Sequence, residues 1–338
     1  MEKDSIRIDD PVFKKWILVA KINTLQNYLG NKKVMYDVLS NDPRSFDFLP
    51  LTATFNVVDP NFRELVKYAM TYSKDKKTWI LKPALGLQGQ DILISNDYME
   101  VIKYIDTHIQ YTDWVLSEYI DNPFLLKING RSSSGAVFND SIGRKTHIRI
   151  YVLITKIDNK FNIYLYKDNL IFSAVKEYSG DDVTDKFSNL TNLHLGSMYY
   201  DNVLKLDGSM AYKDLSFPLK QTVNKIFGKE FYSEVVFPQI KKMLVLILEN
   251  SVNYLKCEKM NQGTRGCFQY IAIDIMPDVN FHLHLLEING SPGLNAPFYH
   301  WKNLDNFAES ILNRTSDIIG GSLNNKNKFG RKGFILIK

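Results

Sequence analysis

Asp274 interrupts the apolar run "IAIDIM", and Glu287 and Asn289 close the next one, "LHLLEIN", beyond a turn at Pro277-Asp278. A carboxylate inside such a run is costly unless it is paired or holds a metal. Strand alternation puts Leu283, Leu285, Glu287 and Asn289 on one face, so an acid and an amide leave the sheet together beside a stiff "GSPG" loop. Asp, Glu and Asn oxygens on adjacent strands suit Mg²⁺, which takes a few protein oxygens and leaves positions for water and phosphate. Taken alone, "LLEING" also reads as a strand running out to solvent through an Asn-Gly turn. His282 and His284 fall on the opposite face and read as structural.

Two other stretches could meet an anion. In "WILKPALGLQGQDILI", Lys82 ends an apolar strand, and Gly86 and Gly89 allow close backbone approach in the loop that follows. That is a phosphate-cradling arrangement in kind, although neither the Gly-Lys-Ser/Thr of a P-loop nor the helix of a dinucleotide fingerprint follows. A plain glycine hairpin is the alternative. In "GRKTHIRIYVLI", period two places Lys145, His147, Arg149 and Tyr151 on one strand face. Three potentially cationic groups in a row repel unless something anionic lies over them; a solvent-facing edge strand is the alternative.

The elements that must position these residues can be read from periodicity. "DPNFRELVKYAMTYSKD" predicts a helix with Asp59 as N-cap and Pro60 first. "DYMEVIKYIDTHI" predicts an amphipathic helix, "DWVLSEYID" a strand, and "KINGRSSSGAVFNDSIG" a mobile surface loop. Two long strands, "THIRIYVLITKI" and "FNIYLYKDNLIFSA", meet in a hairpin at Asp158-Asn159-Lys160. Residues 179–232 read as polar and irregular, and a long buried helix starts at Pro238. Strands joined mostly by short turns give an α+β class with antiparallel sheets.

With 338 residues, 45% of them hydrophobic, the chain is long enough for two or three subdomains around a large core. Its longest apolar stretches are too short to span a bilayer, so no membrane partner is expected. The charged N-terminus does not resemble a signal peptide, which predicts a reducing, cytoplasmic setting. Cys257 and Cys267 make neither a zinc pattern nor a disulfide framework and read as plain core or surface residues. The net charge of +5 is mild. The basic cluster "NNKNKFGRKGFILIK" reads as a solvated tail, or else as a contact for an acidic polypeptide or nucleic acid.

A lysine–glycine loop, a cationic strand and an acidic strand pair together describe an ATP–Mg site. From "FDFLPLTATF" to "LLEINGSPGL" the chain resembles the tubulin tyrosine ligase-like family of the ATP-grasp superfamily. The pieces follow the family's order: "WILKP", "QGQDI", "WVLSEYIDNPFLL", "GRKTHIRIYVLI", "IYLYKDNLIF", "LTN", "CFQYIAIDIM" and "LLEINGSPGL". The resemblance implies an ATP-grasp fold with antiparallel sheets sandwiching the nucleotide and a small N-terminal α/β domain. Its divisions would be residues 1–75, a central subdomain 76–125, a C-terminal subdomain 126–320 and a basic tail 321–338.

Carried over by residue, the resemblance implies that Lys82 holds the nucleotide phosphates with Gln88 and Gly89, and that Lys145 contacts the base and ribose. Ser117, Glu118, Tyr119 and Ile120 would form the adenine hinge, Thr191 and Asn192 would line the nucleotide pocket, and His147 would lie on the nucleotide side. Arg149 would sit by the γ-phosphate and the reacting carboxylate; Asp274, Glu287 and Asn289 would hold Mg²⁺; Lys32 or Lys33 would reach the phosphates. Arg149, Lys82 and Glu287 are thus the expected catalytic set. The chain departs from the family at His147, where an aspartate is usual, at Glu118 in place of a lysine, and at Phe172 in place of an arginine. The implied activity is ATP-dependent ligation of a free amino acid, glutamate first, to an acidic protein tail such as that of tubulin. The alternatives are a non-tubulin acceptor or a catalytically lapsed ATP-binding protein. A monomer without specific nucleic-acid binding is expected.

Overall fold

The computed structural model describes residues 19–22, 28–72, 77–86, 89–157, 160–257, 266–290, 292 and 334–338. Strand β1 (Val19–Lys21) precedes helix α1 (Lys32–Leu39), which Asn31 caps through its side-chain oxygen on the Val34 amide, 3.3 Å away. Next come β2 (Thr52–Asn56), α2 (Phe62–Tyr72), β3 (Trp79–Pro83), β4 (Leu93–Ser95), α3 (Tyr98–Thr107) and β5 (Asp113–Glu118). Asp59 caps a turn through the Asn61 amide, and α2 starts only at Phe62, later than the sequence pattern suggests.

These strands form a four-stranded sheet in the order β2-β5-β3-β4. Residues on both sides of position 75 therefore share one sheet. Trp79, Leu81, Trp114 and Leu116 alternate onto the face that α2 and α3 cover, which leaves Ile80, Lys82 and Ser117 on the other.

The chain continues through β6 (Leu125–Leu126), β7 (Asn129–Arg131), β8 (Val137–Asn139), β9 (Arg144–Ile157), β10 (Lys160–Tyr166) and β11 (Leu170–Ser173). The stretch expected to be a mobile loop is a hairpin: β7 pairs with β8, and the Ser133 and Ser134 hydroxyls donate to Asp214. The expected second long strand is two. β10 and β11 pair with successive parts of β9, and between them Asn169 turns its side chain to the Tyr151 amide, 3.1 Å away.

Residues 179–232 are not irregular. They hold α4 (Lys186–Asn189), α5 (Leu193–Tyr199), α6 (Ala211–Asp214), β12 (Ser216–Pro218) and α7 (Leu219–Phe227). Most are short segments in which polar caps such as Asp185 and Asn192 hide the helical period. Helix α8 (Phe237–Ser251) has proline in its first turn and buries Ile240, Met243, Leu244 and Ile247.

The last strands are β13 (Gly266–Pro277), β14 (Leu283–Asn289) and β15 (Phe334–Leu336). Among the described residues the larger sheet has nine strands, with β9 central between β13 and β10. Ile148, Ile150, Val152, Ile271, Ile273 and Ile275 pack on one face with α8. Tyr151, Leu153, Phe172 and Ala272 pack on the other with α5 and α6.

Two expectations change here. The expected basic tail does not end as a solvated segment, because Phe334–Leu336 pairs antiparallel with β10 and Lys338 meets Glu249. Apolar Phe334 and Ile337 are buried there, a stronger signal than the lysines before them. The two cysteines are joined, with their Cα atoms 5.6 Å apart. β1 lies parallel to the start of β13, and Ile22, the next residue, bridges Cys257, which brings Cys257 and Cys267 side by side. No helix among the described residues is long and apolar enough to cross a membrane.

Candidate active site

The polar face of the larger sheet and the outer face of the smaller one enclose a cavity of about 680 Å³. Every site residue anticipated from sequence lines it except Gln88, which lies outside the described residues.

β9 delivers Lys145, His147 and Arg149 to the cavity because its even-numbered neighbours are held in the opposite core. Lys145 is 1% exposed; its ammonium donates to the Ile120 carbonyl at 2.9 Å and lies 3.6 Å from the Tyr119 ring centre. Burial, supported by the charge of Lys82, holds its pKa well below the ordinary lysine value. His147 shares a hydrogen bond of 2.7 Å between Nδ1 and Thr191 Oγ1. Burial pushes its imidazole down to about 4, with Asp274 opposing and Arg149 assisting, so the ring is neutral from mild acid upward. The sequence suggests a ring titrating near neutrality; desolvation moves it out of that range. Arg149 forks onto Asp274 with both bonds at 2.7 Å, and that carboxylate keeps the guanidinium charged against the cost of burial.

The acidic residues arrive by an irregularity. Asp274 pairs with Glu287 and Ile275 pairs with Leu285, so Leu286 is an extra residue, a β-bulge. Strict alternation would have put Glu287 with Leu283 and Leu285. The bulge reverses the phase: Leu283, Leu285 and Ile288 join the core, while Leu286, Glu287 and Asn289 line the cavity. The Asn289 amide donates to Asp274 at 3.2 Å and to Glu287 at 3.4 Å. His282 and His284 stay out of this group; His284 lies 3.4 Å from Asp278.

The smaller sheet supplies Lys82 from β3 and Ser117 and Glu118 from β5. Burial pushes the Lys82 ammonium down to about 8, with Glu287 opposing and Lys32 assisting. Among the described residues it makes no hydrogen bond or ion pair, which leaves a desolvated ammonium facing the cavity. Glu118 pairs with Lys77 at 2.6 Å. The loop beyond β3 needs its glycines: a Cβ on Gly86 would lie 2.5 Å from Pro83 Cγ, and Gly89 has φ +72° and faces Asn192 at 3.5 Å.

Lys32, not Lys33, completes the set. Its ammonium bonds the Gly86 carbonyl at 2.9 Å and Glu287 at 3.1 Å, whereas Lys33 turns to Asp37. Burial raises the Glu287 carboxyl pKa, but Lys32 and Lys82 overcome this and hold it below the ordinary range. Phe172 is fully buried, 5.0 Å from the His147 ring and 5.5 Å from the Arg149 guanidinium carbon. Sequence reading missed Tyr36, Met276, Leu286, His194 and Tyr212, which also line the cavity. Met276 was accessible from alternation past Asp274; the others depend on the bulge or on distant segments.

Two largely antiparallel sheets closing on a charged cavity define the class, a mixed helix and antiparallel-sheet protein consistent with an ATP-grasp-like fold. The chain belongs to the tubulin-tyrosine ligase family, whose model matches residues 16–319. It is 26% identical over 242 residues to tubulin glycylase 3C of Tetrahymena thermophila, covering 68% of this chain and 20% of that protein. To the tubulin monoglutamylase TTLL4 of Mus musculus it is 25% identical over 291 residues, covering 82% of this chain and 22% of that protein. To the probable tubulin polyglutamylase ttll-9 of Caenorhabditis elegans it is 25% identical over 295 residues, 82% of this chain and 60% of that protein. The chain thus spans about a fifth of the length of the first two relatives.

Proposed function

We propose that this chain is an ATP-dependent carboxylate–amine ligase that adds an amino acid, glutamate first, to an acidic protein tail such as that of tubulin. The observation that carries the reading is the placing of the unpartnered Lys82 ammonium in one cavity with Arg149 and the Asp274–Glu287–Asn289 group. Family membership and tubulin-modifying relatives support it.

In this reading an oxygen of the acceptor carboxylate attacks the γ-phosphorus of ATP, the bond to the bridging oxygen breaks, and ADP leaves. The amino group of the incoming amino acid then attacks the acyl carbon, loses its proton and expels phosphate. Such transfers need positioning and charge neutralisation rather than a nucleophilic side chain. Lys82 and Lys32 would hold phosphate oxygens. Arg149, backed by the Phe172 ring, would face the reacting carboxylate. Two carboxylates and one amide oxygen on a single face fit Mg²⁺, although among the described residues no group of three His, Cys, Asp or Glu side chains is arranged to hold a metal ion. Bound there, a divalent ion would neutralise phosphate charge.

The test incubates the protein with ATP, Mg²⁺ and acidic tail peptides, offers glutamate, glycine and other amino acids in turn, and reads added mass and ADP. ADP formation that requires the acceptor, with a matching mass increment, supports the ligase. The Glu118–Lys77 pair and neutral His147 favour a second reading, a protein that binds ATP without ligation. ATP binding with no consumption for any peptide, tubulin-derived or other, would establish it.

A further inference from the structure

The arm of the β3–β4 loop that reaches the cavity ends in a residue the chemistry above does not use. Gln90 and Ile92 line the cavity, and Asp91 between them turns away from it. Asp91 has φ +53°, in the left-handed region that aspartate tolerates better than most residues but that persists only when the surroundings hold it. What holds it is α3–β5: the Tyr111 hydroxyl donates to Asp91 Oδ2 at 2.6 Å. That bond raises the Tyr111 pKa, so the hydroxyl remains a donor. Tyr111 is itself set edge-on against the fully buried Trp114, 5.5 Å between ring centres at 81°. His108 Nε2 lies 3.7 Å from the other carboxylate oxygen, but its Nδ1 faces the Tyr104 carbonyl at 2.8 Å and must carry the proton. At 3.7 Å the Nε2 contact is too long for a hydrogen bond, and Tyr111 carries the tie.

We infer that Asp91 is a positioning residue for the nucleotide: tethered to Tyr111, it holds the Gly89–Gln90 arm against the cavity before ATP arrives. The inference rests on the ATP-binding reading. Its reason is entropic. Gly86 and Gly89 give the loop the freedom to approach phosphates, and a loop free to wander must be ordered on binding. A tether at the end of the arm, on a rigid aromatic core, removes part of that cost without touching the ligand.

The experiment uses the full chain as wild type, Tyr111→Phe, which removes only the tie, and Asp91→Gly, which removes it while accepting the backbone angle. Titration calorimetry reads ATP affinity, steady-state kinetics reads the acceptor KM, and hydrogen exchange without nucleotide reads the amides of residues 89–95. Both variants should weaken ATP binding about three- to tenfold, the effect expected from losing about one net intramolecular hydrogen bond. Exchange in the arm should quicken, and the acceptor KM should not change. Wild-type ATP affinity in both variants overturns the inference, as does an equal rise in the acceptor KM, which would mark general damage. A wild type that binds no ATP refutes the ligase reading and this role with it, whereas ATP binding that is unchanged from wild type in both variants refutes only this role.

Discussion

The two ends of the cavity treat charge in opposite ways. At the β13–β14 end each charge already has its opposite, Asp274 in the fork of Arg149 and Glu287 on Lys32. At the β3 end Lys82 is a desolvated ammonium without an anion, and the nearby Lys145 has only a carbonyl and a ring. The paired end is organised before any ligand binds. The unpaired end carries the deficit that a polyphosphate would fill, because a desolvated cation gains most from an anion that enters the same low-dielectric space. Two anions held opposite two lysines is an arrangement a triphosphate and its metal would bridge.

Breaking the paired end at its acid should have the largest effect. Glu287→Gln keeps size and removes charge, and turnover should fall about 1,000-fold, the several kcal/mol of charge stabilisation a metal ligand supports. The fold should survive, since the amide keeps the size of the carboxylate and its oxygen can still accept from Lys32. Wild-type ligation by folded Glu287→Gln would remove Glu287 from the site.

The second break separates the two pairs from each other. Arg149→Met leaves Asp274, 6% exposed, without its counter-charge and should cost about 3 kcal/mol in denaturant unfolding. Adding Asp274→Asn should return most of that loss, because the carboxylate left unpaired by the first change is then neutral. Additive losses would mean that the fork is not the relevant interaction.

The unpaired end can be sharpened by pH. A Lys82 pKa of about 8 means that, above that pH, ATP must bring a proton with it to find a charged partner. Affinity should fall as pH rises, by about tenfold between pH 7 and 9. Lys82→Arg, which stays charged, should flatten the profile. His147 adds no slope above mild acid. Its effect is on stability, lost as pH drops from about 6.5, the unfolded value, towards about 4. Identical profiles for wild type and Lys82→Arg would take Lys82 out of the phosphate site.

The smallest effect concerns the acceptor. Phe172 is a core wall and offers no fork for an acidic tail. In the proposed reading, attraction for the tail beyond the reacting carboxylate is diffuse, from Lys167 and the lysines of 326–332, and is screened over about 8 Å at physiological salt. KM for a glutamate-rich peptide should rise a few-fold with added salt, and KM for a neutral peptide should not. Lys→Gln changes within 326–332 are the right variants. Truncation from Gly320 would also remove the strand on β10 and the Lys338–Glu249 pair. Salt-insensitive values for both peptides would exclude diffuse charge as the source of acceptor binding.

Much of this cavity was legible in the sequence, and the exceptions share a cause. The cationic row on β9 follows from period two, and Asp274 announces itself by lying in an apolar run. The side of β14 that carries Glu287 was not legible, because no residue type marks Leu286 as the extra one. The choice of Lys32 over Lys33 depends on α1 meeting β14, a contact between ends of the chain that local pattern cannot carry. The 129–139 hairpin and the helices after 185 were hidden by polar residues that cap and turn as readily as they solvate. Phe172 read as a missing arginine; in the fold it is part of the packing beneath one.

The bulge at Leu286 has a consequence for how this strand tolerates changes in length. A strand is an alternating code, and its meaning is lost downstream of any single-residue deletion. Leu286 is the exception. Removing it would leave Asp274 opposite Glu287, Ile275 opposite Leu285 and every side chain on its present face, at the cost of one apolar wall residue and a local twist. Removing Ile288, two positions on, would turn Asn289 into the core and leave the acids without their amide. Within β14, then, a deletion is silent at the unpaired bulge residue and disruptive at a paired one, and Leu286 marks where the strand can lose a residue without changing what it says.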